Sequence, residues 1–321
     1  MPGWVPTRQA AGVTLTSPLS DAVSEPDTTA ASACAEADVR IQPLGTLEAV
    51  RDATALFSQV WGSDVNAPPL AVEVMRAIEH AGGYAIGAYS ADQLVAASAG
   101  FLGCDAFHRP TLHSHISGVL PRAQGRGIGR AIKLYQRAWA LARGIETVTW
   151  TFDPLVRRNA WFSLSTLGAQ GVDYLVDFNG PMDDGRNAGQ AGDQLFARWN
   201  LRESHVVAAA LGRPAIGRPE DGRLVLDDRD GFPWPVTAVI PDDERPLLIR
   251  LPVDVERLRV DRPEAARRWR MALRDVMVPA FAADRRTTAM TRDGCLVLQA
   301  RPSAERSPGA PGIPQSIRGE R

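Results

Sequence analysis

Between Gly118 and Arg130 the chain reads GVLPRAQGRGIGR, an apolar stretch that passes through a glycine-rich turn straight into a helical pattern. The chemistry of such a turn is anion binding. Glycines let the backbone approach a ligand, the first N–H groups of a helix have no partner inside it, and the helix dipole adds partial positive charge there. Arg122, Arg126 and Arg130 supply further charge around it. Two nucleotide motifs fail on spacing: G-x-G-x-x-G needs glycine where Arg130 stands, and the Gly-Lys-Ser/Thr of a P-loop does not occur. Upstream, His113, His115, Ser117 and Val119 occupy alternate positions of a strand, which predicts one shared face carrying two imidazoles and a hydroxyl. An imidazole titrates near ~6.5 and accepts a proton directly or through water. Asp153, Asp183 and Asp184 are carboxylates suited to a cationic substrate. Asp153-Pro154 is equally an ordinary turn, and Asp183-Asp184-Gly185 a solvated loop.

The composition narrows the setting. Thirty-six basic residues nearly balance 37 acidic ones, leaving a formal charge of -1 without the field of a nucleic-acid binder or a membrane-surface protein. No apolar run is long enough to span a bilayer, and no basic start leads into an apolar signal, so a cytoplasmic protein is expected. Cys34, Cys104 and Cys295 match no disulfide or zinc spacing, and the His113/His115 pair lacks a third ligand, so no metal is expected. Of the basic residues only Lys133 is lysine, so a lysine Schiff base has a single candidate.

The elements that must position these residues read as an α/β fold with a mixed sheet. Residues 1–38 are rich in Ala, Ser, Thr and Pro without periodicity and predict a disordered leader. Then come a strand over 39–44, a helix capped by Thr46 with Val50, Ala53, Phe57 and Trp61 at helical spacing, and a helix through Val72, Met75 and Ile78. A hairpin spans 84–89 and 94–102, followed by a strand over 112–120, a helix over 127–143 and a strand over 146–152. A helix over 156–167 and strands over 172–176 and 195–201 complete a domain of residues 39–201. From 202 to 301 a smaller appended α/β unit is expected, with an isolated strand over 247–251. Its helix has Asp261 and Glu264 as a capping box and Trp269, Leu273, Met277 and Phe281 on one stripe. Residues 302–321 read as a disordered tail.

The pattern that the turn does carry, Gln124-x-x-Gly127-x-Gly129 after a strand ending at Val119, resembles the acyl-coenzyme A signature of the GNAT acetyltransferase superfamily. The preceding order of elements, and Asn159 and Leu167-Gly168 after it, extend the resemblance over residues 39–201, about half the chain. His113-Ser114-His115, Trp150 to Pro154, Arg158-Asn159-Ala160 and Met182 to Gly185 are similar to a subgroup of predicted GNAT acetyltransferases, some of which are associated with succinylation of amino acids.

The resemblance implies that the amides of Gln124, Gly125, Arg126, Gly127, Ile128, Gly129 and Arg130 hold the coenzyme A diphosphate. Val119 N–H would bond the thioester carbonyl, stabilising oxyanion charge, and Asn159 would bond the pantetheine arm. His113, eleven residues before Gln124, stands where histone acetyltransferases of the superfamily place a glutamate base. The tyrosine acid of many members is replaced by Leu164, leaving Tyr174, His115 or solvent to protonate the thiolate. The implied activity is N-acylation, with acetyl- or succinyl-coenzyme A as co-substrate, of a small amine or amino acid by direct attack in a ternary complex. A non-catalytic acyl-coenzyme A-binding module with a protein partner is the alternative, transfer to a hydroxyl a weaker third, and a homodimer is compatible with either.

Overall fold

The computed structural model describes residues 24–64, 67–180, 192–214, 217, 219–237, 240 and 243–301. Its mixed α/β architecture is built on one twelve-stranded sheet. In chain order the first half holds α1 (Glu25–Glu36), β1 (Arg40–Pro43), α2 (Leu47–Trp61), α3 (Val72–His80), β2 (Tyr84–Ser90), β3 (Gln93–Cys104), β4 (Pro110–Val119), α4 (Ile128–Leu141), β5 (Thr147–Phe152), α5 (Arg157–Ala160), β6 (Gln170–Leu175) and β7 (Gln194–Asn200). The second half holds α6 (Ser204–Ala210), β8 (Arg223–Arg229), β9 (Phe232–Pro235), β10 (Leu247–Arg250), α7 (Val255–Asp261), α8 (Pro263–Ala282), β11 (Arg285–Met290) and β12 (Cys295–Ala300). The strand order is β1-β2-β3-β4-β5-β7-β6-β11-β12-β10-β8-β9, joined across the halves at Thr287 and Gly171.

Helices cover both faces. On one, Val50, Ala53 and Phe57 of α2 and Met75 of α3 bury against Ala97, Ala99, Ile116 and Leu120. On the other, Ile128, Ala131, Ile132 and Leu134 of α4 bury with Ala96, Leu112 and Val148. Each fully buried large apolar side chain contributes about 1.5–3 kcal/mol. Thr46 caps α2 as its position predicts, accepting from Ala49 N at 3.1 Å.

Four expectations need correction. The leader expected through residue 38 gives way at Ser24 to α1, whose Ala30 and Ala33 bury in the α4-side core. Glu25 grips buried Arg137 of α4 through two hydrogen bonds of 2.9 Å. An apolar side made of alanine and threonine gives almost no hydrophobic periodicity, which is why the sequence pattern hides this helix. The helix expected over 156–167 is the short α5 followed by a π-helical turn, Trp161–Thr166. Asp261 does not cap α8: it closes α7 and pairs with Arg257 at 2.9 Å, while Arg262 occupies the α8 cap position without capping it through its side chain. The strand expected to be isolated, β10, lies between β8 and β12. Among the described residues no helix is long and apolar enough to cross a membrane.

Candidate active site

β4 and β5 run parallel but stay paired only from Thr111/Thr147 to His113/Thr149. β5 continues along β7 to Phe152, so the outer edge of β4 beyond His113 is left facing a wedge-shaped gap. Leu120 N donates to Val95 O at 2.9 Å on the β3 side. Successive residues of an antiparallel strand point their amides to opposite sides, so Val119 and Ser117 present their N–H groups to the gap. The sequence pattern singled out Ser117 for its hydroxyl, whereas the structure directs its backbone N–H to the gap.

A β-bulge breaks the expected single face of histidines, serine and valine. Ala99 pairs with Ile116 and Gly100 with Ser114, so His115 is the extra residue of β4. Before the bulge His113 shares its face with Phe101, their ring centroids 5.1 Å apart, and His115 also lies against Phe101 at 5.8 Å. After it the alternation is inverted. Val119 packs on the α4 side, as does Ser117 beside Ser98, its hydroxyl 2.7 Å from the Ser98 hydroxyl. Gly100 makes the bulge possible, because a Cβ there would lie 2.6 Å from His113 O.

The gap leads to the glycine turn. Gly125 (φ 81°) and Gly127 (φ 82°) take left-handed conformations that favour glycine, and a Cβ at either would meet nothing within 4 Å. Gly127 is the N-cap of α4 and offers no capping side chain, while buried Ile128 anchors the first turn. Gly129 lies against the Phe162 ring. The first amides of α4 therefore have no intrahelical partner. The Gln124 side chain turns back on its own loop, its amide donating to Val119 O at 3.2 Å. Two of the three arginines expected to reinforce this turn are directed elsewhere: Arg126 donates to Ser90 Oγ at 3.1 Å and Ala37 O at 3.3 Å, and Arg130 to Ala210 O at 2.7 Å. Their guanidinium groups tie the turn to α1, β2 and α6, leaving the backbone amides and exposed Arg122 at the turn.

At the vertex of the wedge, His113 Nδ1 lies 3.1 Å from Thr149 Oγ1. Burial, with smaller contributions from His115 and Lys133, pushes the His113 pKa down to about 4, so the ring is neutral at pH 7. His115 is more exposed and burial lowers its pKa too. On the opposite side of the vertex, Lys133 Nζ donates to Ser114 Oγ at 2.8 Å and lies 4.2 Å from the Trp150 ring centroid. Its rarity drew attention in the sequence, but nothing local announced this position.

Two other candidates are committed to partners elsewhere, a third stands within α5, and one lies outside the described residues. Tyr174, expected as an acid, is buried and donates to Asp193 Oδ2 at 2.7 Å. Burial, with the neighbouring Asp193 charge, raises its pKa far above that of a free phenol, so it is a poor proton donor at neutral pH. Asp153, expected to bind substrate, is instead clamped by Arg270 at 2.6 Å and by Arg259. Burial pushes its pKa up, but the two guanidinium groups and the Leu155 amide outweigh it and hold the carboxyl ionised. Asn159 sits inside α5 and does not cap it, since Val156 is the N-cap. Asp183, with Asp184, lies outside the described residues. No group of three or more His, Cys, Asp or Glu that could hold a metal occurs among the described residues.

No protein-family model matches the sequence, and no curated protein matches it. Solved structures similar to the chain are acetyltransferases. They include the ribosomal-protein-alanine N-acetyltransferase from Escherichia coli, 16% identical, covering 52% of this chain and 96% of that one with a TM-score of 0.41. A putative GNAT-family acetyltransferase from Desulfovibrio desulfuricans is also 16% identical, covering 51% and 99% with a TM-score of 0.41. Arabidopsis thaliana Naa50 in complex with a coenzyme A bisubstrate analogue is 14% identical, covering 50% and 97% with a TM-score of 0.39. Each of these three structures matches about half of this chain at 16% identity or less.

Proposed function

We propose that residues 39–201 carry an acyl-coenzyme A-dependent N-acyltransferase that acylates a small amine or amino acid, with an acetyl or succinyl group as the transferred unit. The observation that carries this reading is a pair of backbone donor sets on one path: Ser117 and Val119 N–H facing the gap, then, past the paired amides of Leu120, Ala123 and Gln124, the left-handed turn at Gly125 and Gly127 and the free first turn of the helix. A diphosphate suits the turn, since its amides converge where the helix dipole is positive and no side chain occupies them. A pantetheine arm suits the β4 edge, pairing as an added strand does. The thioester supplies the activated acyl group.

The chain's own task is to deliver a neutral amine. An ammonium of pKa near ~10 is deprotonated about one part in a thousand at pH 7, equivalent to roughly 4 kcal/mol. The amine nitrogen attacks the thioester carbonyl, the C–S bond breaks, and the proton shed by nitrogen passes along water to His113 at the vertex, neutral at this pH. An imidazole that holds a proton so weakly hands it on to water or to His115, so its gain lies at the low end of the about 10²–10⁴-fold typical of general bases. With the Tyr174 hydroxyl committed to Asp193, solvent is the acid for a thiolate whose pKa is near ~8.5.

The same commitment, with Leu164 where many superfamily members place a tyrosine, favours the second reading, a binding module without turnover. Thiol release measured across acyl donors and a broad amine panel separates the two. Release that requires both components supports the enzyme, and coenzyme A binding with no release from any pair supports the module.

A further inference from the structure

The vertex of the wedge holds a charge that the proposed chemistry does not use. Lys133 Nζ donates to Ser114 Oγ at 2.8 Å and to Gln136 Oε1 at 3.0 Å and faces the Trp150 ring at 4.2 Å, so one amine touches both strands just where they diverge. Gln136 completes the cluster by donating to Ser114 Oγ at 3.2 Å. Each of these neighbours is uncharged, and among the described residues the amine has no carboxylate partner. The titratable group facing it from β4, His113, is itself held neutral. Burial pushes the Lys133 pKa down to about 7.

An ammonium buried without a counter-charge is costly, and a methionine would occupy a similar volume without that cost. Thirty-five of the 36 basic residues are arginine, and the single lysine stands here. What lysine offers over arginine is a compact charge that gains and loses its proton readily when buried.

The gap-facing amides give a direction to this site. A thioester bonded to Ser117 or Val119 N–H extends its acyl chain up the wedge toward Ser114 and Lys133. With His115 bulged out, Ser114 and Ser117 stand opposite Gly100 and Ser98, so about 7 Å of strand separates them. A four-carbon chain ending in a carboxylate is of that length, and an acetyl group stops well short. Resting on the reading of the wedge as an acyl-coenzyme A site, we infer that the acyl donor is the coenzyme A thioester of a dicarboxylic acid, its free carboxylate held by Lys133 beside Ser114 and Trp150.

The test compares binding of succinyl-, butyryl- and acetyl-coenzyme A and of free coenzyme A by calorimetry. Butyryl matches succinyl in chain length and lacks the charge. Wild-type protein is expected to bind the succinyl thioester about tenfold or more tightly than the butyryl one. Lys133→Met should erase that preference while binding free coenzyme A as wild type does. Equal affinity for the two thioesters in the wild type overturns the inference, as does a preference that survives in Lys133→Met. The wild-type comparison decides even where the variant fails to fold. Failure of all four compounds to bind contradicts the acyl-coenzyme A reading itself, whereas binding without carboxylate preference contradicts only the assignment of Lys133.

Discussion

His113 Nδ1 and Thr149 Oγ1 meet at 3.1 Å on the last rung that holds β4 and β5 together, so the candidate base is fixed at the vertex of the gap. Its proton affinity and its position are therefore set by the same feature, the depth of burial at the point of divergence. His113→Ala is expected to lower kcat by about 10²-fold. In the wild type the acidic limb of the pH–rate profile should fall as pH drops through about 4, where His113 protonates. Turnover and profile unchanged in His113→Ala remove His113 from the mechanism.

The same residue makes a stability prediction. Its folded pKa of about 4 lies below the ordinary 6.5, so between those values the unfolded chain binds more protons. The stability associated with neutral His113 is fully present above pH 6.5 and is lost as pH falls toward 4. His113→Asn should flatten the acid side of a denaturation-midpoint curve relative to wild type.

Lys133 acts with the same sign in a higher window. Its pKa is about 7 in the fold against 10.5 ordinarily, so the unfolded chain again binds more protons between those values and stability rises with pH across them. Lys133→Met should stabilise the protein at pH 7 by about 1–3 kcal/mol and remove that rise. Urea denaturation at pH 7 and pH 10 checks both parts, and a destabilised Met variant contradicts the account of an uncompensated charge.

Asp153 is read as a clamp between β5 and the helices α7 and α8. Replacing it with asparagine leaves Arg259 and Arg270, both buried, without their shared carboxylate, and should cost about 3–5 kcal/mol. The clamp is present at neutral pH and is lost as pH falls through the depressed carboxyl pKa. An Asp153→Asn protein with wild-type stability and a raised acceptor KM would return Asp153 to the substrate site.

Tyr174→Phe separates structure from catalysis. Removing the hydroxyl that donates to Asp193 should cost about 1–3 kcal/mol in stability and leave kcat of the folded enzyme unchanged. A loss of kcat at full folding would restore Tyr174 as the acid.

Local signals made much of this molecule legible. Thr46, the α2 stripe and the hairpin of β2 and β3 follow from capping and periodicity, and the glycine-rich passage from strand to helix was legible because its physics is contained in a dozen consecutive residues. What stayed hidden depends on residues distant along the chain. The extra residue at His115 leaves no compositional mark in a strand, yet it inverts every face after it. Arg270 reaches Asp153 across 117 positions, so a carboxylate that looks free beside a proline is already taken. Likewise Arg126 and Arg130, adjacent to the turn in sequence, find partners 36 to 89 positions away.

In the proposed reaction a coenzyme A diphosphate occupies the amides of the Gly125–Gly129 turn. Amide chemical shifts of isotopically labelled protein titrated with coenzyme A test it most directly. Saturable shifts concentrated at Gly125, Gly127, Ile128 and Gly129 and along Ser117 and Val119 are predicted. A spectrum that stays unchanged at those amides on well-folded protein contradicts the account.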